Sequence, residues 1–149
     1  MANIGKWNAP SATTTVLGTG LNSLTSGTMS AASSTISNQT NLDIYVDAEI
    51  LLASLSPTSG AYVALYILES IDGSNFPAQS DADLRLTGTQ LLCAVPIGTT
   101  ASTAQRVAVR NLVIPPGAFQ IKLDNQTGVA LNASGNTVKF NAYDFNLNG

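Results

Sequence analysis

Apolar and polar positions alternate most clearly between residues 42 and 52. Every second position there is apolar, at Leu42, Ile44, Val46, Ala48, Ile50 and Leu52. The positions between them include Asp43, Asp47 and Glu49. Because successive side chains of a strand point to opposite faces of its sheet, this pattern predicts a long strand with one buried and one acidic face.

The next apolar segment, residues 61–68, has no such alternation. It reads Ala-Tyr-Val-Ala-Leu-Tyr-Ile-Leu and is apolar on both faces. Such a strand is typical of the centre of a sheet, where both faces are covered or one face meets another subunit.

Further strand-like segments follow at residues 91–97, 104–112, 118–125 and 137–147, separated by turn signals. Asp72-Gly73 predicts a left-handed backbone position, and Pro116-Gly117 predicts a type II turn with a positive φ at Gly117. The best helical segment is short, at residues 78–84. The sequence therefore predicts an all-β fold, an antiparallel β-sandwich or jelly roll.

The first forty residues differ from the rest of the chain. They are rich in Ser, Thr, Ala, Asn and Gly, and their apolar residues are widely spaced. We predict an extended N-terminal arm with edge strands over residues 1–40 and a sandwich body over residues 41–149. Since we expect the arm to bury little against its own domain, it is suited to contact another subunit.

Composition narrows the possible functions. The chain has no histidine, and its net charge of -3 leaves no basic face. The commonest general base and metal ligand is thus missing, and so is a surface for nucleic acid. Cys93, the single cysteine, lies in an apolar run and is expected to be a buried small hydrophobe. We predict a protein that is not an enzyme, has no cofactor or metal, and binds no nucleic acid.

No secretory signal is recognisable at the N-terminus, and no apolar stretch has the ~20 residues that span a bilayer. We therefore expect synthesis in the cytoplasm and no membrane partner.

Acidic residues form two candidate clusters. Asp43, Asp47 and Glu49 on one strand face have the chemistry of a hydrolase, but a half-exposed strand ordinarily carries alternating acids as well. Arg106 and Arg110 are four apart on one strand and are expected to point to the same side, towards acidic residues of a neighbouring strand or subunit. We interpret the acidic face as solvated, not catalytic.

The second cluster consists of Asp72, Asn75, Asp81 and Asp83 in one loop. Oxygen ligands of this kind suit calcium, but their spacing matches no EF-hand, and Asp-Gly is first a turn signal. We interpret this loop as a turn without a metal.

Candidate interface residues lie in the arm and on the apolar strand. Trp7 stands in a polar segment beside Lys6, close to Ile4. It either folds back onto its own domain or anchors the arm in a pocket of a partner, since a buried Trp dominates many interfaces. Tyr45, Tyr62 and Tyr66 are expected to be exposed, as a sugar-stacking platform or as interface surface. We predict that Ile4, Lys6, Trp7, Tyr62 and Tyr66 contact a partner protein or a neighbouring subunit.

Several segments of turns and strands share one resemblance: residues 14–24, 41–47, 60–66, 72–76 (Asp-Gly-Ser-Asn-Phe), 104–110, 114–121 (beginning Ile-Pro-Pro-Gly), 125–128 and 133–137. Through these segments most of the chain resembles small virion proteins encoded near the major capsid gene of tailed bacteriophages. The segments are turns and strands, not catalytic signatures.

The resemblance implies a capsid decoration, or cement, protein located in the virion. Such proteins bind the outer surface of the shell, commonly as trimers, so the implied partners are the major capsid protein and further copies of this chain. The alternative is a carbohydrate-binding jelly roll, because residues 70–76 resemble turns in discoidin-like galactose-binding folds.

Overall fold

The computed structural model describes residues 6–78, 80–87 and 90–146. Within these residues the chain forms eleven strands, one short 3-10 helix (Thr19–Leu21) and one α-helix, α1 (Asp81–Thr87). The strands are β1 (Lys6–Trp7), β2 (Thr14–Leu17), β3 (Thr28–Met29), β4 (Ile36–Ser37), β5 (Tyr45–Leu55), β6 (Tyr62–Ser70), β7 (Leu91–Pro96), β8 (Thr103–Val113), β9 (Ala118–Gln126), β10 (Thr137–Tyr143) and β11 (Phe145–Asn146).

Two antiparallel sheets pack against each other. The four-stranded sheet has the order β2-β10-β5-β8. The five-stranded sheet has the order β3-β9-β6-β7, with β4 also paired to β9. A separate two-stranded ribbon joins β1 to β11. The predicted all-β sandwich is confirmed.

The alternation along β5 places its apolar side chains in the core. Val46, Ala48, Ile50 and Leu52 are at most 1% exposed, while the residues between them are only partly buried. The predicted strand is too long at its start, however, because Leu42 has a positive φ of 53° and is 55% exposed. The strand therefore begins at Tyr45.

Both faces of β6 are covered, as its apolar sequence predicts. On the inner face Val63, Leu65 and Ile67 join the main core. On the side of β6 that points away from the main core, Tyr66 and Leu68 belong to a second cluster, with Ala64, Met29 and Leu84. The strand lies between β7 and β9, so its central position is confirmed.

The helix α1 packs on the side of the five-stranded sheet that points away from the main core. Leu84 is fully buried there, and Arg85 forms a bidentate ion pair with Asp124 of β9, with Nη2–Oδ1 at 2.6 Å and Nε–Oδ2 at 2.9 Å. A second ion pair joins Lys122 Nζ to Asp81 Oδ1 at 2.6 Å. The helix begins three residues later than the sequence predicts.

The N-terminal segment supplies edge strands to both sheets, through β2 on β10 and β3 and β4 on β9. It also contributes Leu17 and Leu21 to the main core, at 5% and 0% exposure. Residues 14–38 thus pack more closely against the sandwich than their composition suggests.

One turn prediction is confirmed and one is wrong. Gly73 has a φ of +78°, as the Asp-Gly signal predicts. Gly117 is not among the described residues with positive φ. The loop before β9 instead bonds to Asn38, whose backbone N–H donates to the Gly117 carbonyl at 3.1 Å and whose Nδ2 donates to the Pro115 carbonyl at 2.8 Å.

Candidate interaction surface

The two sheets differ in what lies on their outer faces. The five-stranded sheet is covered by α1, whereas the four-stranded sheet presents partly exposed charged side chains. We call this surface the outer face, defined by Asp47, Glu49, Arg106, Arg110 and Lys139.

Ion pairs in the middle of the outer face are long. Arg106 Nη1 lies 3.8 Å from Glu49 Oε2, and Lys139 Nζ lies 4.0 Å from Glu49 Oε1. Arg106 thus pairs with a neighbouring strand, as expected. Within the described part of the chain, no carboxylate lies within ion-pair distance of Arg110. Exposed pairs of this kind contribute at most about 1 kcal/mol to folding, so the face is not held together by its charges.

Four aromatic rings meet at one end of the outer face, and we call them the aromatic cluster: Trp7, Tyr45, Tyr143 and Phe145. Pairing of β1 with β11 places Trp7 opposite Phe145, and pairing of β5 with β10 places Tyr45 opposite Tyr143. The Trp7 ring packs edge to face on the other three, with centroid distances of 5.2–5.7 Å. Trp7 nevertheless remains 57% exposed. The cluster therefore holds an accessible indole in a fixed position.

A β-bulge lies next to the aromatic cluster. The register between β5 and β8 shifts between Val46 and Ala48, so that Arg110 and Asn111 both lie beside Asp47. Asn111 has a left-handed φ of 57°. Its backbone N–H donates to Asp47 Oδ1 at 3.1 Å, which fixes the bulge.

Tyr143 completes this hydrogen-bonded group. Its hydroxyl lies 3.0 Å from Asp47 Oδ1 and 2.5 Å from Asn111 Oδ1. Burial, together with the hydrogen bond to Asp47 and the charge of that carboxylate, raises the pKa of the Tyr143 phenol. The phenol therefore keeps its proton as a donor within this hydrogen-bonded group.

Two open clefts run along the outer face. The first, about 430 Å³, is lined by Trp7, Asp47, Arg110, Asn111 and Tyr143 together with Asn8 and Pro10. The second, about 480 Å³, shares Asp47 and Arg110 with the first and continues towards Glu49 and Lys139. The two clefts form one groove across the bulge.

The predicted interface residues do not form one surface. Trp7 lies in the aromatic cluster, Lys6 lies beside it in the β1–β11 ribbon, and Ile4 is outside the described residues. Tyr62 is 41% exposed but belongs to the five-stranded sheet, opposite the outer face. The expectation that Tyr66 is exposed is wrong, since it is 6% exposed in the cluster that includes Leu84 of α1.

Asn111 and Tyr143 were not predicted from the sequence. The inward residues of β8 are two apart at Val107 and Val109, and then three apart at Leu112. This extra residue is the signal of the bulge. Tyr143 has no comparable signal, because its partners come from β5 and β8 and are distant in sequence.

The predicted acidic loop is divided between a hydrogen-bonded turn, which contains Asp72 and Asn75, and α1, which contains Asp81 and Asp83. Asp72 Oδ1 accepts the backbone N–H groups of Asn75 at 2.7 Å and Ser74 at 2.9 Å, and Asp72 Oδ2 accepts Asn75 Nδ2 at 2.6 Å. These bonds, those of Asn75 first, hold the pKa of the Asp72 carboxyl well below its usual range. Among the described residues, no group of three or more acidic, Cys or His side chains is placed to hold a metal ion.

Cys93 is half buried, and burial raises the pKa of its thiol. A protonated thiol is a poor nucleophile, so this position has the chemistry of a packing residue.

Comparison with known proteins does not identify this chain. The sequence matches no protein-family model and none of the curated proteins with which it was compared. In the described part of the chain no helix is long and apolar enough to cross a membrane.

Proposed function

We propose that this protein is a non-enzymatic virion component, a capsid decoration or cement protein that binds the outer surface of a phage head and stabilises it. Its partners in this proposal are the major capsid protein and further copies of the same chain, arranged as a homotrimer. The observation that carries the proposal is the aromatic cluster, whose indole is held by three rings yet is 57% exposed.

The composition of this surface supports binding to a protein. Trp, Tyr and Arg are the residues that contribute most to protein interfaces when they are buried by a partner. Here Trp7, Tyr143 and Arg110 line one cleft, and the exposed Val113 lies opposite Tyr45 at the same end of the sheet. Docking of a partner would bury apolar area that the isolated chain leaves in water.

The N-terminal segment is fixed at this end of the molecule. The backbone N–H of Asn8 donates to the Asp144 carbonyl at 2.9 Å, and that of Ser11 donates to the Ala142 carbonyl at 2.8 Å. Trp7 is therefore presented without a large ordering cost on binding. On a repeating shell a trimer would multiply a modest affinity per copy through effective concentration.

Co-sedimentation with mature capsids stripped of accessory proteins tests this proposal. We expect saturation near one copy per capsid subunit, and a loss of binding for Trp7→Ala at a temperature well below the melting temperature of that variant. Ile71→Ala is the matched control, because Ile71 is fully exposed in a loop outside the groove. Absence of saturable binding by the wild-type protein, or equal binding by both variants, would overturn the proposal.

A carbohydrate-binding module is the second candidate function. The observation that favours it is the groove itself, in which an exposed indole adjoins a fixed carboxylate, amide and phenol at the bulge. Open sites with an apolar wall and a few placed polar groups are typical of small-ligand recognition.

A further inference from the structure

We infer that the groove on the outer face is a binding site for a neutral oligosaccharide, with its first sugar ring against Trp7 and beside the β8 bulge. This inference rests on the second of the two proposed functions and assigns its site and its ligand class.

The bulge is built to place polar groups, not to fill the core. Arg110 and Asn111 are both exposed, and the Asp47 that fixes Asn111 lies on the outer face. The left-handed φ of Asn111 is one that Asn adopts more readily than most residues, and its hydrogen bonds with Asp47 and Tyr143 hold it in place. Bulges are frequent where a strand must re-aim side chains towards a ligand.

The polar groups in the first cleft have capacity left for a ligand. Among the described residues, both hydrogen bonds to Asp47 end on Oδ1. Oδ2 is thus left to accept from a sugar hydroxyl. Arg110 lines the same cleft without an ion-pair partner in the described chain, and its guanidinium offers several donors in one plane. The Asp47 acceptor and the planar Arg110 donor group lie on one cleft, and together they complement two neighbouring hydroxyls of a sugar ring.

Trp7 supplies the apolar wall. A pyranose ring has faces of C–H groups between its hydroxyls, and burying such a face against an aromatic ring removes both apolar surfaces from water. Since three rings hold Trp7 in place, little conformational entropy is lost when a sugar binds.

The second cleft indicates that the ligand is longer than one ring. It continues from Asp47 and Arg110 towards Lys139 and Asn141. Glu49, Arg106 and Lys139 line this part of the groove and supply polar groups for a further sugar ring.

Charge favours a neutral ligand. Acidic and basic side chains are mixed along the groove, with Asp47 and Glu49 among Arg106, Arg110 and Lys139. No stretch of the groove has a single sign, so recognition falls to hydrogen bonds and to the indole. We therefore expect affinity that changes little with salt concentration.

An array of neutral and acidic oligosaccharides, followed by titration calorimetry of the best ligand, tests the inference with the full-length protein. We expect neutral oligosaccharides to bind, and Trp7→Ala and Arg110→Ala each to weaken binding at least about tenfold. The matched controls are Tyr62→Ala and Lys122→Ala, an aromatic and a basic residue of the other sheet, which should leave affinity unchanged. Arg110→Ala removes no described ion pair, so the variant is expected to fold. Lys122→Ala removes the ion pair with Asp81, so its affinity is measured at a temperature at which the variant is shown to be folded.

The outcomes separate the site from the function. Binding of a neutral glycan that is unaffected by both groove variants would overturn the site but leave the carbohydrate function standing. Binding restricted to acidic glycans and lost at high salt would overturn the neutral ligand class. Absence of binding to any glycan would overturn the function and the site together.

Discussion

Among the described glycines, the tightest steric constraint is at Gly128. Its φ is +81°, and a Cβ built there would overlap the side chain of Thr58. Alanine at this position would carry both the strain of a left-handed backbone and a clash with Thr58. We expect Gly128→Ala to lower the free energy of unfolding by roughly 2–4 kcal/mol, measured by urea denaturation.

Gly60→Ala is the control for this substitution. Gly60 has nearly the same φ, +78°, but no atom within 4 Å of its Cβ position. It should show the backbone cost alone, roughly 1 kcal/mol. The double variant Gly128→Ala/Thr58→Ala should recover part of the loss, because Oγ1 and Cγ2 of Thr58 are then gone. Equal losses for the two glycine variants would show that the clash is relieved by movement of the loop.

Single residues also show what the sequence can and cannot predict. The buried state of Val46 and Ile50 follows from alternation alone, since the pattern reports one strand and its two faces. The buried state of Asn125 does not. Its Nδ2 donates to the carbonyls of Leu24 and Val129, and its Oδ1 accepts from Thr127. This hydrogen-bonded group depends on segments that meet only in the folded chain.

Among the secondary-structure elements, α1 allows the most specific test of which interaction holds an element on the sandwich. Asp124 is 1% exposed, and Arg85 is its cationic partner. Removal of Arg85 would leave a buried carboxylate with Gln126 Nε2 as its remaining side-chain donor among the described residues, at 3.0 Å. Because Arg85 is itself about a third exposed, solvent screens part of the loss. We expect Arg85→Ala to cost about 1–3 kcal/mol and to loosen α1.

The measurement combines urea denaturation with amide hydrogen exchange of Leu84, whose N–H donates to the Ser80 carbonyl. Exchange there should accelerate while that of β5 stays slow. Arg106→Ala is the matched control, because the Arg106–Glu49 pair is 3.8 Å long and exposed, and it should cost at most about 0.5 kcal/mol. Unchanged exchange at Leu84 in Arg85→Ala would mean that apolar packing alone holds the helix.

Elements with a clear pattern of apolar positions could be predicted from the sequence. Features that depend on which strands become neighbours could not. The strands β5 and β6 follow from alternation and from a continuous apolar run. The bulge in β8 and the cover of Tyr66 by α1 depend on which strands become neighbours. For the candidate site, the sequence therefore indicated Trp7 but not its partners Tyr143 and Phe145.

At the scale of the whole molecule, the pH dependence of folding stability is unusual because the chain has no histidine. Histidine is the side chain that ordinarily titrates between about pH 5 and pH 8, so we expect stability to stay nearly constant there. On the acid side, Asp72 has a pKa lowered by its turn hydrogen bonds from the ordinary 3.8. Its contribution is present above that value and is lost as the pH falls below it, since the unfolded chain then binds the proton first.

At alkaline pH the change has the opposite sign, since folding stability falls as the pH rises. Burial raises the pKa of Cys93 above its ordinary 9.0 and that of Tyr66 above its ordinary 10.0. The unfolded chain therefore loses these protons at a lower pH than the folded protein does. The corresponding stability is complete below pH 9 and is lost as the pH rises through these folded-state values.

Thermal unfolding followed by circular dichroism from pH 3 to pH 11 tests the whole curve. We expect a plateau through the neutral range, a fall below about pH 4 and a second fall above about pH 9. Tyr66→Phe should make the alkaline fall shallower, because a group that ionises more readily in the unfolded chain is removed. A melting temperature that changes steeply between pH 5 and pH 8 would contradict the plateau, since no histidine is present to produce it.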